Sequence, residues 1–185
     1  MIKFTPEQIK KFPVAHLSHS AIRCYMTNRQ LFYKRFIRLE FDDSSGPSLI
    51  EGKAYHKALE YLYNLIKGAK KENFPVESAV VSTLMDEGNF SDILKIAEAE
   101  IIKQVESGTV DFGKTGSPAK SLKVVEQSLN WYANEAPDYY PMYIEAKVKV
   151  DCFDLEGELL PVAIKIVYDL VCDADGEIDI VDHKL

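Results

Sequence analysis

The sequence predicts an α/β protein of α+β order, with a helical N-terminal part packed on a small mixed sheet. Three observations carry this. Apolar residues recur at helical spacing through most of residues 1–141, the period switches to two at Met142, and turns rich in Gly and Asp divide the remainder into short strands. At 185 residues the chain is read as a single domain, mainly helical over 1–141 and β-rich over 142–185, long enough to bury a core.

The opening residues, punctuated by Pro6 and Pro13, read as an irregular lead-in or a short turn of helix. Ser18 or Ser20 is the expected N-cap of a first amphipathic helix over about 20–38, in which Ile22, Tyr25, Met26, Leu31, Phe32, Phe36 and Ile37 alternate with basic residues. After a loop at 42–47, a second helix is expected over Ser48–Lys67, with Ala54, Ala58, Leu62, Leu65 and Ile66 as its apolar stripe and His56, Glu60 and Tyr63 on another face. Residues 76–107 hold one or two further helices, capped by Ser91 and stopped by Gly108, and 119–134 another that buries Leu122, Val125, Leu129 and Tyr132. Strands are expected over 143–153, 159–171 and 177–183, joined by turns at Glu156-Gly157 and Asp173–Gly176.

Composition narrows the classes. Apolar content of 46% and 28% charged residues suit a soluble globular protein. Cys24, Cys152 and Cys172 are odd in number and far apart, which argues for a reducing compartment and against a disulfide framework or a self-contained zinc site. No apolar run approaches the roughly 20 residues that span a bilayer, so a cytoplasmic location without membrane contact is the default. The net charge of −7 is unevenly spread: residues 1–39 hold eight of the 22 Lys/Arg and one of the 29 acids. A basic end on an acidic body is compatible with phosphate contact there; the alternative is a solvated helix that happens to be basic.

The last stretch carries the densest chemistry. One strand ends on Asp169 and the next on Asp182, with Lys184 two residues further; a period of two puts Asp182 and Lys184 on one face and His183 on the other. Carboxylates and an amine on adjacent strand ends suit metal-assisted hydrolysis. A hard cation takes carboxylate oxygens and substrate phosphate, polarises that phosphate and activates water, while a lysine orients the water and neutralises developing charge. The plainer alternative is three exposed charges at edge-strand ends. His56 is a lone helical histidine, structural or functional, with Glu60 one turn on able to fix its tautomer. Glu145 is either a further acid near the metal or, more simply, an outward strand residue. Gly108–Thr115 fits the phosphate-loop pattern GxxxxGK[ST], but the segment before it reads as helix and Pro118 follows, so a nucleotide hydrolase is set aside.

In chain order these pieces resemble the PD-(D/E)XK nuclease superfamily, in its RecB-like branch, from Leu17 to Leu185. LSHSAIRCYMTNRQLFYKRFI is similar to the family's N-terminal helix, EGKAYHKALE to its small-residue helix with a histidine ligand, and YIEAKVKV, IVYDLV and IDIVDHKL to its hairpin and D…DxK core. The resemblance implies a restriction-endonuclease-like core with His56, Asp169, Asp182 and the backbone carbonyl of His183 holding Mg²⁺ or Mn²⁺. It implies Lys184 positioning or activating the attacking water, with Asp169 and Asp182 also catalytic, and the 20–38 helix contacting nucleic acid through Arg23, Arg29, Lys34, Arg35 and Arg38; Glu60 and Glu145 are auxiliary candidates from the residue reading.

The pattern departs from the family in four places. Asn28 stands at the position of an iron–sulfur ligand cysteine, with Cys24 one turn earlier, so no cluster is expected; Ile166 replaces a usual glycine and Leu185 a Thr or Ser. The sequence ends at the DxK strand, before the family's QxxxY helix, so the fold is expected to be truncated there and its final strand exposed or completed by a partner. The expected activity is a DNA nuclease, in the first place an exonuclease on ends or single strands. It would serve recombination, repair or phage DNA processing in a bacterial or phage-infected cell, alongside a helicase or recombination partner. The alternative is a non-catalytic protein of the same fold that binds nucleic acid or a protein complex.

Overall fold

The computed structural model describes Val14 and residues 16–40, 46–68, 79–107, 110–113, 116–135, 140–174 and 176–183. Within them lie strands β1 (His16–Leu17), β2 (Tyr140–Phe153), β3 (Leu159–Ala174) and β4 (Glu177–Val181) and helices α1 (His19–Thr27), α2 (Arg29–Phe32), α3 (Pro47–Gly68), α4 (Ala79–Met85), α5 (Glu87–Glu106) and α6 (Pro118–Glu135). The strands form a four-stranded mixed sheet, in keeping with the α/β expectation. Two compact units are built from the chain: residues 1–42 with 147–167, and 43–146 with 168–185. β2 and β3 each contribute to both.

In the first unit β1 pairs in parallel with β3, His16 opposite Ala163 and Leu17 opposite Ile164. Ser18, not Ser20, caps α1, its hydroxyl accepting from the Ala21 amide at 3.2 Å. The expected single helix over 20–38 is broken. Asn28 adopts an extended backbone, closes α1 through its own amide on the Cys24 carbonyl (2.7 Å), and opens α2 by accepting from Leu31 (3.0 Å). An Asx side chain offers the backbone this local partner, and here it outcompetes helix continuation. A π-helical turn, Tyr33–Ile37, follows, with Phe32 stacked on Phe36 at 5.2 Å. The β2–β3 turn is set by Asp154 Oδ1, which accepts from Glu156 and Glu158, and by Gly157 at φ +86°.

The second unit holds the main core. On α3, Ile50, Ala54, Ala58 and Leu62 recur at one-turn intervals and are fully buried. They belong to one cluster with Ile93, Ala97 and Ile101 of α5, Val125, Leu129 and Tyr132 of α6, and Leu170 and Cys172 on one face of β3. Alanines at 54, 58 and 97 let the helix backbones approach closely. Two polar ties join α3 to α6: Ser121 donates to Glu51 (2.8 Å), and the Tyr63 and Tyr132 hydroxyls share a 2.6 Å hydrogen bond.

Asp86, rather than Ser91, caps α5, accepting from the Asn89 amide at 2.8 Å; a carboxylate there both satisfies an orphan donor and complements the helix dipole, so the helix starts a turn earlier than expected. β3 and β4 pair antiparallel from Leu170↔Val181 to Ala174↔Glu177, and Asp173 Oδ1 accepts from Gly176 (2.9 Å) at the turn. Of the GxxxxGK[ST] match, Gly108, Thr109, Lys114 and Thr115 lie outside the described residues, and the segment before it is α5. No described helix is long and apolar enough to cross a membrane.

Because Leu62 is fully buried at the centre of this cluster, Leu62→Ala is expected to lower unfolding free energy by about 2–5 kcal/mol, read by chemical denaturation. A loss under about 1 kcal/mol would show that the helices do not pack as described.

Candidate metal centre

Three side chains from three elements of the second unit converge. Burial of Ala54, Tyr55, Ala58 and Leu59 turns His56 away from the core. Its Nδ1 lies 3.5 Å from Oδ2 of Asp169, next to the fully buried Leu170 on β3. Glu145 comes from β2, and one ligand atom from each of His56, Glu145 and Asp169 lies within 4.8 Å of the others. Glu145 holds φ at +52° inside the strand, a left-handed conformation that a non-glycine residue keeps only when its surroundings enforce it, at a cost of about 1–3 kcal/mol. Ile144, Glu145 and Ala146 are all half-buried, so alternation fails there. Of the two readings open for Glu145, the structure places its carboxylate beside His56 and Asp169.

Burial raises the Glu145 carboxyl above its ordinary range, and the charges of Asp169 and Glu60 raise it further against the pull of His56 and Lys57. One imidazole nitrogen and two carboxylate oxygens, crowded at this expense, form a donor set that fits a divalent metal ion. Glu60 does not partner His56: it is ion-paired with Lys57, three residues away on α3.

His183 was expected to contribute a backbone carbonyl with its ring turned aside. Its ring is instead 6% exposed, stacked on Tyr63 (5.9 Å, 16°) and edge-on to Tyr132 (5.4 Å, 85°). Its Nδ1 is 3.5 Å from the Tyr132 hydroxyl, and burial lowers its pKa, keeping it neutral near pH 7. Its backbone amide donates to Asp169 Oδ2 at 2.8 Å. The side chain therefore anchors the chain segment after β4, which sequence periodicity could not foretell because β4 ends at Val181.

Asp182 is exposed just beyond β4 and is not among the three clustered ligands; Lys184 lies outside the described residues. Arg23, Arg29, Lys34, Arg35 and Arg38 are all exposed in the first unit, Arg29 lying 5.2 Å over the Tyr25 ring and Arg38 5.5 Å over Tyr33.

Beside the cluster, in the second unit, opens a cavity of about 460 Å³. Ser48, Gly52, His56 and Glu60 line it at one-turn spacing, with Lys53 and Lys57 alongside. That spacing was legible as a helix face, but nothing in the sequence said which face met the acids of β2 and β3.

A raised Glu145 pKa means the metal-free fold loses stability as pH rises through that group's folded-state range, above 4.5. Glu145→Gln should therefore melt higher than wild type at pH 7 in EDTA, while Mn²⁺ raises the melting temperature of wild type but not of the variant. Equal melting in EDTA, or equal Mn²⁺ stabilisation, would remove Glu145 from the site.

Comparison with curated proteins and with solved structures gives no match. A sequence model of one family matches residues 16–185, nearly the whole chain and all three clustered ligands. The chain belongs to the PD-(D/E)XK nuclease superfamily.

Proposed function

We propose that this protein is a Mg²⁺- or Mn²⁺-dependent nuclease of the RecB-like branch that hydrolyses phosphodiester bonds in DNA, acting as an exonuclease on ends or single strands. The observation that carries this reading is the convergence of His56, Glu145 and Asp169 beside an open cavity. Members of the superfamily are in general phosphodiester-cleaving nucleases that use divalent metals, so the chemistry fits the donors.

In this mechanism His56, Glu145 and Asp169 hold the cation, joined by Asp182 and the His183 carbonyl from the segment beyond β4. The bound ion supplies Lewis-acid polarisation of the phosphate and a water of lowered pKa. Asp169 is held in place by the His183 amide, and His56 presents its Nδ1 3.5 Å from the Asp169 carboxylate. Lys184 orients the attacking water and offsets negative charge as the phosphoryl group becomes pentacovalent. The basic residues Arg23, Arg29, Lys34, Arg35 and Arg38 bind nucleic-acid phosphates and give a salt-dependent affinity.

The test is cleavage of labelled DNA with Mg²⁺ or Mn²⁺. Asp169→Asn should abolish it, and Lys184→Ala should lower kcat by about 10²–10³-fold while Mn²⁺ binding persists. Undiminished cleavage by both variants would sink the assignment. A wild type that binds Mn²⁺ yet cuts no nucleic acid would move the protein to the non-catalytic class.

A further inference from the structure

The segment from Arg29 to Ile37 keeps aromatic side chains without burying them. Neither α2 nor the π-helical turn after it has a buried residue, yet Phe32, Tyr33 and Phe36 fall within it. Tyr25 and Tyr33 are 47% and 51% exposed, so about half of each ring faces water. The backbone departs from regular helix over the same stretch. α1 breaks at Asn28, the π-helical turn covers Tyr33–Ile37, and the exposed Leu39 holds φ at +57°. Such π-turns and left-handed non-glycine residues collect at functional sites, because stability alone does not select them.

The chemistry of this surface selects the ligand. Residues 16–40 carry five cations, Arg23, Arg29, Lys34, Arg35 and Arg38, against one acid, Glu40, which pairs with Arg38 at 3.3 Å. The rings are tied to the cations. The Arg29 guanidinium lies 5.2 Å over Tyr25, Tyr25 meets Phe32 edge-on, and Phe32 stacks on Phe36. Arg38 lies 5.5 Å over Tyr33. Phosphate groups or an acidic peptide would need the cations and not the rings. Unpaired bases need both, since their open faces stack on aromatic and guanidinium planes while the phosphates meet the charges. In a duplex those faces are already covered by neighbouring bases.

We propose that this surface of the first unit holds single-stranded nucleic acid, with bases stacked on the Tyr25–Arg29 and Tyr33–Arg38 pairs and phosphates on Lys34 and Arg35. This rests on the nucleic-acid reading above and deepens it, because the rings choose an unpaired strand and the cations alone do not.

The experiment measures binding of labelled single-stranded, abasic and duplex oligodeoxynucleotides of equal length by the whole chain in EDTA, so that no metal takes part. The abasic strand keeps the phosphates and lacks the bases. Wild type should hold the ordinary single strand about tenfold or more tighter than the abasic one. Tyr25→Leu and Tyr33→Leu, which keep an apolar side chain of similar bulk, should each weaken the single strand about fivefold or more. Both should bind the abasic strand and the duplex as wild type does. Tyr25→Trp and Tyr33→Trp should retain the single-strand affinity. Equal wild-type affinity for ordinary and abasic strands overturns the proposal, as do Leu variants that bind the single strand like wild type or Trp variants as weak as the Leu ones. A wild type that binds no oligonucleotide also overturns it and assigns the surface to a protein partner. A wild type that discriminates ordinary from abasic strands but cuts neither when Mn²⁺ is restored counts against the nuclease reading alone.

Discussion

The hydrogen bond from the His183 backbone amide to Asp169 Oδ2 is the contact on which the candidate site depends. A carboxylate at a strand end is free to rotate unless fixed donors hold it, and this donor is fixed because the residue carrying it has its ring buried between Tyr63 of α3 and Tyr132 of α6. The two tyrosine hydroxyls bond each other at 2.6 Å, so the same aromatic cluster sets the spacing of the helices and the position of the acid. α3 then carries His56 to within 3.5 Å of that acid. Core packing and site geometry are one problem in this unit: a shift of α3 against α6 would move the histidine and loosen the carboxylate together.

The site is held against local cost. Glu145 sits in a left-handed backbone conformation within a strand, and its carboxyl is pushed toward the neutral form by burial and by Asp169. Gly52 stands inside a continuous helix, and its neighbours give no steric reason for a glycine there. Each departs from what stability alone would select, and all lie around one cavity. Departures from local preference that cluster in space are characteristic of functional sites, where strain and crowded charge are tolerated because a bound cation and substrate relieve them. The surrounding core, with Leu62, Ile93 and Leu129 fully buried, supplies the compensation.

The first unit follows a different logic. Its basic residues are exposed, and two of the arginines lie over tyrosine rings, Arg29 on Tyr25 and Arg38 on Tyr33. Such an array keeps its positive charge at the surface while burying side-chain stems against aromatic faces. The break at Asn28 re-aims the chain between Tyr25 and Phe32 without losing their edge-to-face contact at 5.2 Å.

The sequence by itself determined the α/β class, the order of helices before the three C-terminal strands and the helices whose apolar residues repeat at helical spacing, but neither β1 nor the break at Asn28. α3 and α6 fall within a residue of expectation at each end, because periodic burial and Pro or Gly punctuation are local properties. His56 and Asp169 were candidates in the sequence, but residue type and spacing left a plainer reading open for each, and their ligand roles were implied by the family resemblance. Tertiary structure alone decided what meets what. Glu145 joined them through a backbone conformation that strand periodicity excludes, Glu60 went to Lys57 instead of His56, and the His183 ring became an anchor because β4 stops before it. Each of these depends on packing between elements far apart in the chain, and hydrophobic period and residue spacing carry no information about that.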